Sequence, residues 1–164
     1  MSVKDLPKVL RPHGLDDVDD DFSMLQGLAK DDLNLFFNFL ERHGFSAGDV
    51  LLNQGDEDRA LFILTVGTLE VRVETGDTWH AVDTMGEGTF FGEQSFADGH
   101  PRTATIVAAS AGEFFRLGLR AFNRLSREHP GVALAVVNDV AHVLSLRCRM
   151  LQGIRSRLLA EQGQ

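Results

Sequence analysis

The chain has 164 residues, of which 43% are hydrophobic and 24% charged, a length and composition that suit one globular domain and exclude disorder as the default. Its formal net charge of -8 argues against direct nucleic-acid binding, which needs local basic patches, and only the tail from Arg147 to Arg157 is basic. No apolar run reaches the length of a membrane span, and the start MSVKDLPKVL lacks the apolar core of a signal peptide. The single cysteine, Cys148, excludes an internal disulfide framework and fits a cytoplasmic protein.

Residues 1–28 are interpreted as a helical or irregular extension, and residues 29–164 as the folded domain. Five aspartates in the extension predict a solvated face or a helix start rather than a metal site, because no glycine occupies the turn position of a calcium loop. These residues are Asp16, Asp17, Asp19, Asp20 and Asp21. From Lys30 to His43 apolar residues recur at helical spacing, and Gly44 is expected to end that helix.

Between about residues 44 and 118 the hydrophobic period changes from helical to that of strands. Short runs rich in Val, Leu, Ile, Thr and Phe are separated by turn glycines, and in residues 69–74 Leu69, Val71 and Val73 alternate with polar residues. Further strands are predicted at 50–53, 61–66, 79–85, 103–108 and 113–117. Eight or so antiparallel strands that close on themselves predict a jelly roll, so the fold class is mainly β with flanking helices.

The helical period returns at about residue 119. A short helix around Phe122 is expected to end near His129, and Pro130 is well placed to start a long helix that Gly153 interrupts after Gln152. The apolar stripe of the long helix has three-four spacing and is either the seam of a parallel homodimer, which we favour, or a face packed on the roll. The stripe consists of Val137, Val140, Leu144, Leu151, Ile154 and Leu158.

The stretch from Phe90 to Ala108, FFGEQSFADGHPRTATIVA, has the character of an anion site. Gly92 allows close approach of backbone amides to a ligand, and the amides at the start of a helix suit a phosphate. Arg102 adds a planar fork of donors that matches two phosphate oxygens. Glu93 would repel a phosphate, so it needs a donor such as a sugar hydroxyl. The implied ligand carries both a phosphate and a ribose.

These residues resemble the phosphate-binding cassette of the cyclic nucleotide-binding domain family, which includes the catabolite activator protein and the kinase A regulatory subunit. The cassette residues are Gly92, Glu93, Ser95, Pro101, Arg102, Thr103 and Ala104, and a second family pattern upstream comprises Gly48, Gly55, Asp56 and Gly67. The two patterns occur in the family's order, and the resemblance covers about residues 30–150. It implies the same β-roll.

The resemblance implies a role for each cassette residue. Glu93 would accept a hydrogen bond from the ribose 2′-hydroxyl, while Gly92, Arg102 and the backbone amides of Gln94 and Ser95 would hold the cyclic phosphate. Phe91, Ala104 and Val71 are assigned to the same ligand-binding set. A threonine at the position of Thr103 is associated with cGMP in the family, yet cAMP is favoured because a short single-domain member looks bacterial.

The resemblance also implies a two-state switch in which Phe96 moves with the cassette against Phe122 and Leu125. The long helix would then fold over the base as a lid. Candidate lid contacts are Arg147, Arg149, Met150 and Leu151, among which helical phase does not choose.

Other classes of protein fit the sequence less well. The histidines are scattered singly and no nucleophile lies beside a base, so neither a metal site nor an enzyme is expected. A DNA-binding member would need a helix-turn-helix after the long helix, and Gln164 comes too soon for one, so the output is expected to pass to a separate effector protein. A dimeric scaffold with a vestigial pocket and a sensor of a cyclic dinucleotide remain the alternatives.

Overall fold

The computed structural model describes Leu25 and residues 28–162, so the acidic group of the predicted extension lies outside the described residues. The described elements, in chain order, are α1 (Lys30–Phe37), β1 (Glu41–Phe45), β2 (Val50–Leu52), β3 (Ala60–Val66), β4 (Leu69–Thr75), β5 (Thr78–Met85), β6 (Phe90–Phe91), α2 (Glu93–Asp98), β7 (Thr105–Ala108), β8 (Gly112–Gly118), α3 (Leu119–Glu128) and α4 (Pro130–Gln162).

The eight strands form two four-stranded antiparallel sheets, with orders β1-β8-β3-β6 and β2-β7-β4-β5. Helices precede and follow the strands along the chain, as expected of a β-roll with flanking helices. The predicted fold class is therefore confirmed, and all the predicted strands are present within a few residues of their expected ends.

The core has two layers, one between the sheets and one between the β1-β8-β3-β6 sheet and the helices. Strand β3 serves both layers because its successive side chains point to opposite faces of the sheet. Leu61 and Ile63 pack with the helices, whereas Phe62 and Leu64 pack between the sheets. This double burial explains why β3 reads as a continuous apolar run rather than an alternating one.

The predicted helix over residues 30–43 is wrong in its second half. Helix α1 ends at Phe37, and β1 begins at Glu41 and pairs with β8 from Glu41 opposite Arg116 to Phe45 opposite Gly112. Ladder hydrogen bonds and the contact between Arg42 Nε and Glu113 Oε2 at 3.0 Å hold this strand. Pairing with a distant strand therefore overrides the local helical pattern.

Helix α4 does not end at Gly153 but continues to Gln162. A glycine inside a helix costs only about 1 kcal/mol relative to alanine, and the good helix formers on both sides offset that cost. The structure also divides the predicted stripe: Val140 is buried in the core and Leu144 packs partly against it. Val137, Leu151, Ile154 and Leu158 are exposed.

By length and composition alone α4 could cross a membrane, since an 18-residue window has a mean hydropathy of 1.4. This is weak evidence, because its first half carries the apolar residues that close the core: Val132, Ala133, Val136, Val140, Val143 and Leu146. A helix that covers a sheet needs such a face. The expected cytoplasmic location stays a prediction.

The segment before α1 contacts α4 at Asp139. The Leu25 amide donates to Asp139 Oδ2 at 2.7 Å, and Leu25 itself is buried. Burial raises the pKa of the Asp139 carboxyl, while the Leu25 amide and the nearby His142 act in the opposite direction. The hydrogen bond therefore partly offsets the cost of placing a carboxylate beside the core.

Replacement of Gly112 tests the packing of β8. An added Cβ would meet the Val66 carbonyl oxygen at 2.0 Å and the Phe45 ring at 2.6 Å, so Gly112→Ala should lower the free energy of unfolding by about 1–3 kcal/mol or more. Gly131→Ala is the matched control, because nothing lies within 4 Å of its added methyl group, and it should be neutral or stabilising by up to about 1 kcal/mol. Urea denaturation measures both, and equal effects would contradict the assigned packing.

Candidate functional site

A cavity of about 480 Å³ lies between the β2-β7-β4-β5 sheet, the β6–α2 turn and α4. Its lining is mostly apolar, and its charged residues are Asp83, Glu93, Arg102 and Arg147. The lining residues are Val71, Val73, Val82, Asp83, Met85, Phe91, Gly92, Glu93, Gln94, Ser95, Arg102, Thr103, Ala104, Ile106, Arg147, Met150, Leu151 and Ile154. The volume falls in the range of small-molecule sites, and the mixed lining suits a ligand with an apolar and a charged part.

Gly92 forms the turn that aims α2 at the cavity. It has a φ of 77°, and a Cβ there would lie 2.6 Å from Arg102 Nη1 and 2.9 Å from the Ala60 carbonyl oxygen. Both the left-handed conformation and the crowding therefore require glycine. The Gly92 carbonyl accepts from the Phe96 amide at 3.2 Å and from Arg102 Nη1 at 2.9 Å.

Arg102 is 4% exposed and is held on several sides. Its Nη2 donates to Asp58 Oδ2 at 2.6 Å and to the Ala60 carbonyl at 3.0 Å. Its backbone is paired with the loop before β3: the Arg102 amide donates to the Asp56 carbonyl and the Gly55 amide to the Arg102 carbonyl, both at 2.8 Å. The upstream glycine pattern and the cassette thus meet at one residue.

One donor of Arg102 is left over, since its buried Nε has no hydrogen-bond partner. The same holds for an acceptor on the next charged residue of the cavity. Glu93 is 1% exposed, its Oε1 accepts from Arg147 Nη1 on α4, and its Oε2 is buried without a partner. Buried polar atoms are almost always paired, so an unmatched donor and an unmatched acceptor on two residues that line one cavity indicate a ligand that supplies both partners.

A hydrogen bond between two uncharged side chains links two segments of the cavity lining. The Thr103 hydroxyl donates to Gln94 Oε1 at 2.9 Å. This hydrogen bond joins the start of α2 to the segment that leads into β7, so both edges of the cassette are fixed relative to each other.

The structure brings most of the predicted site residues together. Residues 91–95, Arg102, Thr103, Ala104 and Val71 line the cavity, as do the lid candidates Arg147, Met150 and Leu151. Pro101 and Arg149 are exposed and are not among the lining residues. Ligand contact by any of these residues stays a prediction.

Several lining residues were missed from the sequence. Val73 lies on the same strand face as Val71, so the period of two could have identified it. Nothing local to Asp58 signals its contact with Arg102, and helical phase did not show that Arg147 reaches Glu93. Among the described residues, no group of three His, Cys, Asp or Glu side chains could hold a metal ion.

The Arg147–Glu93 contact should contribute to stability. Arg147→Ala leaves the buried Glu93 carboxylate without its donor and should lower the free energy of unfolding by about 1–3 kcal/mol in thermal or urea denaturation. Arg149→Ala, two residues along the same helix and exposed, is the control and should change it by less than about 0.5 kcal/mol. If both variants unfold like the wild type, α4 is not held against α2 by this pair.

Comparisons with known proteins agree with the fold and the cassette. The profile of the cyclic nucleotide-binding domain matches residues 42–129, more than half of the chain. The cyclic AMP receptor protein of Thermus thermophilus is 28% identical over 127 residues, which is 77% of this chain and 57% of that protein. A cAMP-dependent protein kinase regulatory subunit of Mycosarcoma maydis is 34% identical over 91 residues, 52% of this chain and 17% of the relative.

This chain therefore spans little more than half of the first relative and under a fifth of the second. Among solved structures, a cyclic nucleotide-binding domain from Methylobacillus flagellatus superposes with a TM-score of 0.74 at 21% identity and supports the fold alone; the match covers 85% of this chain and 77% of that one. The match to the family profile contains β1 to α3, the cassette and Arg102. The chain belongs to the cyclic nucleotide-binding domain family.

Proposed function

We propose that the chain binds a cyclic mononucleotide and transmits the binding to a partner protein. The observation that carries this proposal is the pair of unmatched buried atoms on two residues that line the cavity, the donor Arg102 Nε and the acceptor Glu93 Oε2. A ribose phosphate supplies an anionic acceptor for the first and a hydroxyl donor for the second. A simple surface ion pair would leave neither atom unmatched.

The rest of the cavity fits the base. Val71 and Ile106 lie on the sheet, and Met150 and Leu151 lie on α4. A base placed between these apolar surfaces would bury its faces, while the sugar and phosphate reach Glu93 and Arg102. Helix α4 then acts as the lid, through Arg147, Met150 and Leu151.

The favoured base is adenine. Both relatives described above carry cAMP in their names, the receptor of Thermus thermophilus and the kinase regulatory subunit of Mycosarcoma maydis. The Thr103 hydroxyl, which the family resemblance associates with guanine, already donates to Gln94. Contact with guanine would have to compete with that hydrogen bond, so Gln94 weakens the case for cGMP.

The proposed output runs through α2 and the helices after the roll. Phe96 of α2 contacts Phe122 of α3 edge to face, with ring centroids 5.0 Å apart, and both belong to the cluster that α4 closes. A shift of the cassette would change this contact and the position of α4. A ligand drives such a switch only by binding one arrangement more tightly, and the response passes to a separate effector.

Thermal unfolding with added nucleotide tests the binding. At a hundredfold excess over the dissociation constant, cAMP should stabilise the wild type by about 2.7 kcal/mol, or roughly 5–10 °C in Tm for a domain of this size. Cyclic GMP should give a smaller shift and cyclic di-GMP none. Arg102→Ala should have a lower Tm, because Asp58 and the Gly92 and Ala60 carbonyls lose their donor, but it should still unfold cooperatively. It should lose the nucleotide shift, because the phosphate loses its cation.

Two controls sharpen this experiment. Arg42→Ala removes an exposed arginine of β1 and should keep the full shift. For the lid, Met150→Ala should reduce cAMP affinity several-fold, whereas Leu159→Ala, on an exposed residue outside the cavity, should not. No shift with any nucleotide in a cooperatively unfolding wild type would mean that the pocket is vestigial and the chain is a scaffold. A shift with cyclic di-GMP alone would favour the dinucleotide.

We also propose a parallel homodimer through α4. Val137, Leu151 and Leu158 are exposed and, with the half-buried Leu144, recur every seven residues along one side of the helix. In a two-stranded coiled coil, such a row fills one of the two apolar positions of each heptad. Cys148 is exposed, four residues after Leu144 and three before Leu151, so it would flank the seam in a parallel pair.

The single cysteine makes the dimer directly testable. A short bismaleimide should crosslink the wild type into a covalent dimer at micromolar concentration, and light scattering should give twice the chain mass of 18.1 kDa. Leu158→Glu should abolish both results because it places a charge in the seam. Asp77→Ala, on an exposed turn, is the control and should leave both results unchanged. Leu40→Glu would not serve, because Leu40 packs on the core. A monomeric mass together with no crosslink would refute the seam.

A further inference from the structure

The Asp58 carboxylate is shared by two arginines, only one of which lines the nucleotide cavity. Asp58 Oδ2 accepts from Arg102 Nη2 at 2.6 Å, and its Oδ1 accepts from Arg116 Nη2 at 3.2 Å. Arg116 Nη1 in turn donates to Glu41 Oε2 at 3.0 Å. The four side chains form a row of alternating charges, which we name the charge relay: Arg102, Asp58, Arg116 and Glu41.

The charge relay runs from the interior to the surface. The exposed fraction of the side chain is 3% for Arg102, 38% for Asp58, 31% for Arg116 and 60% for Glu41. Arg102 is thus screened little by solvent, whereas the outer members remain accessible. A change of charge at Glu41 or Arg116 therefore acts on Arg102 through ion pairs in direct contact.

The sheet places these residues together although they are far apart in sequence. Arg116 lies on β8, the strand between β1 and β3, opposite Glu41 on one side and Phe62 on the other. Asp58 precedes β3 in the loop that also pairs with the Arg102 backbone. The strand register therefore sets the geometry of the charge relay.

The outer end of the charge relay lines a second cavity of about 460 Å³. Glu41, Asp58 and Arg116 line it together with Arg59 and Arg120. Arg59 also donates to the Phe96 carbonyl of α2 at 3.0 Å, so this cavity contacts the cassette at two points.

We infer that Arg116 and Glu41 are positioning residues that set the affinity of Arg102 for the phosphate of the ligand. This inference rests on the proposed function. Arg116 pairs with Asp58 and offsets part of its negative charge. Asp58 therefore neutralises less of the Arg102 charge, and more of that charge is available to a phosphate. Glu41 offsets part of the positive charge of Arg116, so it reduces the Arg102 charge that is available to a phosphate.

The two outer residues therefore act in opposite directions, although they form one ion pair. Removal of the Arg116 charge makes the surroundings of Arg102 more negative and weakens phosphate binding. Removal of the Glu41 charge makes them more positive and strengthens it. A unit charge at this range, partly screened, changes affinity by about two- to tenfold.

Calorimetric titration of the full chain with cAMP tests the inference. Arg116→Gln should raise Kd by about two- to tenfold, and Glu41→Gln should lower it. The matched controls are Arg42→Gln and Glu113→Gln, which break the neighbouring ion pair between the same two strands and should change Kd by less than about twofold. If Arg116→Gln and Glu41→Gln shift Kd in the same direction, or no more than the controls do, the inference is wrong.

A double-mutant cycle separates the charge relay from a loss of folding. In an Asp58→Asn background Arg116→Gln should raise Kd by a smaller factor than in the wild type, because the part of its effect that passes through Asp58 is lost. A merely structural effect of Arg116 would persist there. Additive effects of the two changes would overturn the inference.

The inference can be judged even if the wild type binds no nucleotide, a result that would refute the proposed function itself. In nitrogen-15 NMR spectra recorded without ligand, Arg116→Gln should shift the Arg102 Nε resonance and Arg42→Gln should not. An unchanged Arg102 resonance in Arg116→Gln would refute the charge relay independently of binding.

Discussion

The structure depends on one buried cation. Arg102 is 4% exposed, and a charge so far from water must be paired. Its partners come from three places: the Asp58 carboxylate in the loop before β3, the Ala60 carbonyl at the start of β3, and the Gly92 carbonyl at the start of α2. The guanidinium therefore joins the β6–α2 turn, the loop before β3 and β3 itself. Displacement of any one of these segments would leave the buried charge with fewer hydrogen-bond partners.

Arg102 also lacks one hydrogen-bond partner, and this unmatched donor is the main sign of a ligand site. Both terminal nitrogens of Arg102 donate to protein atoms, but its Nε has no partner. Likewise, one carboxylate oxygen of Glu93 accepts from Arg147 and the other has no partner. A buried donor or acceptor without a partner costs about 1–3 kcal/mol. The fold bears this cost twice in one cavity, which is typical of a site where a ligand completes the hydrogen bonding.

The sequence predicted the roll and the cassette because both depend on local patterns, such as the alternation in β4 and the Gly92, Glu93 and Arg102 spacing. It did not predict β1, because Glu41 to Phe45 form a strand only through pairing with β8. It also missed the partners of the two charged site residues. Asp58 and Arg147 lie 44 and 54 positions from Arg102 and Glu93, and such contacts leave no mark in a single sequence.

The pairing of β1 with β8 has a consequence for how the chain folds. Glu41 and Arg116, which face each other across these strands, are 75 positions apart, so the sheet cannot close until β8 has been synthesised. Such non-local pairing slows folding. Until then the edge of β3 that pairs with β8 is open, and the face of β3 that packs on the helices waits further for α4. A nascent chain at this stage exposes a continuous apolar strand, and such a strand favours aggregation during synthesis.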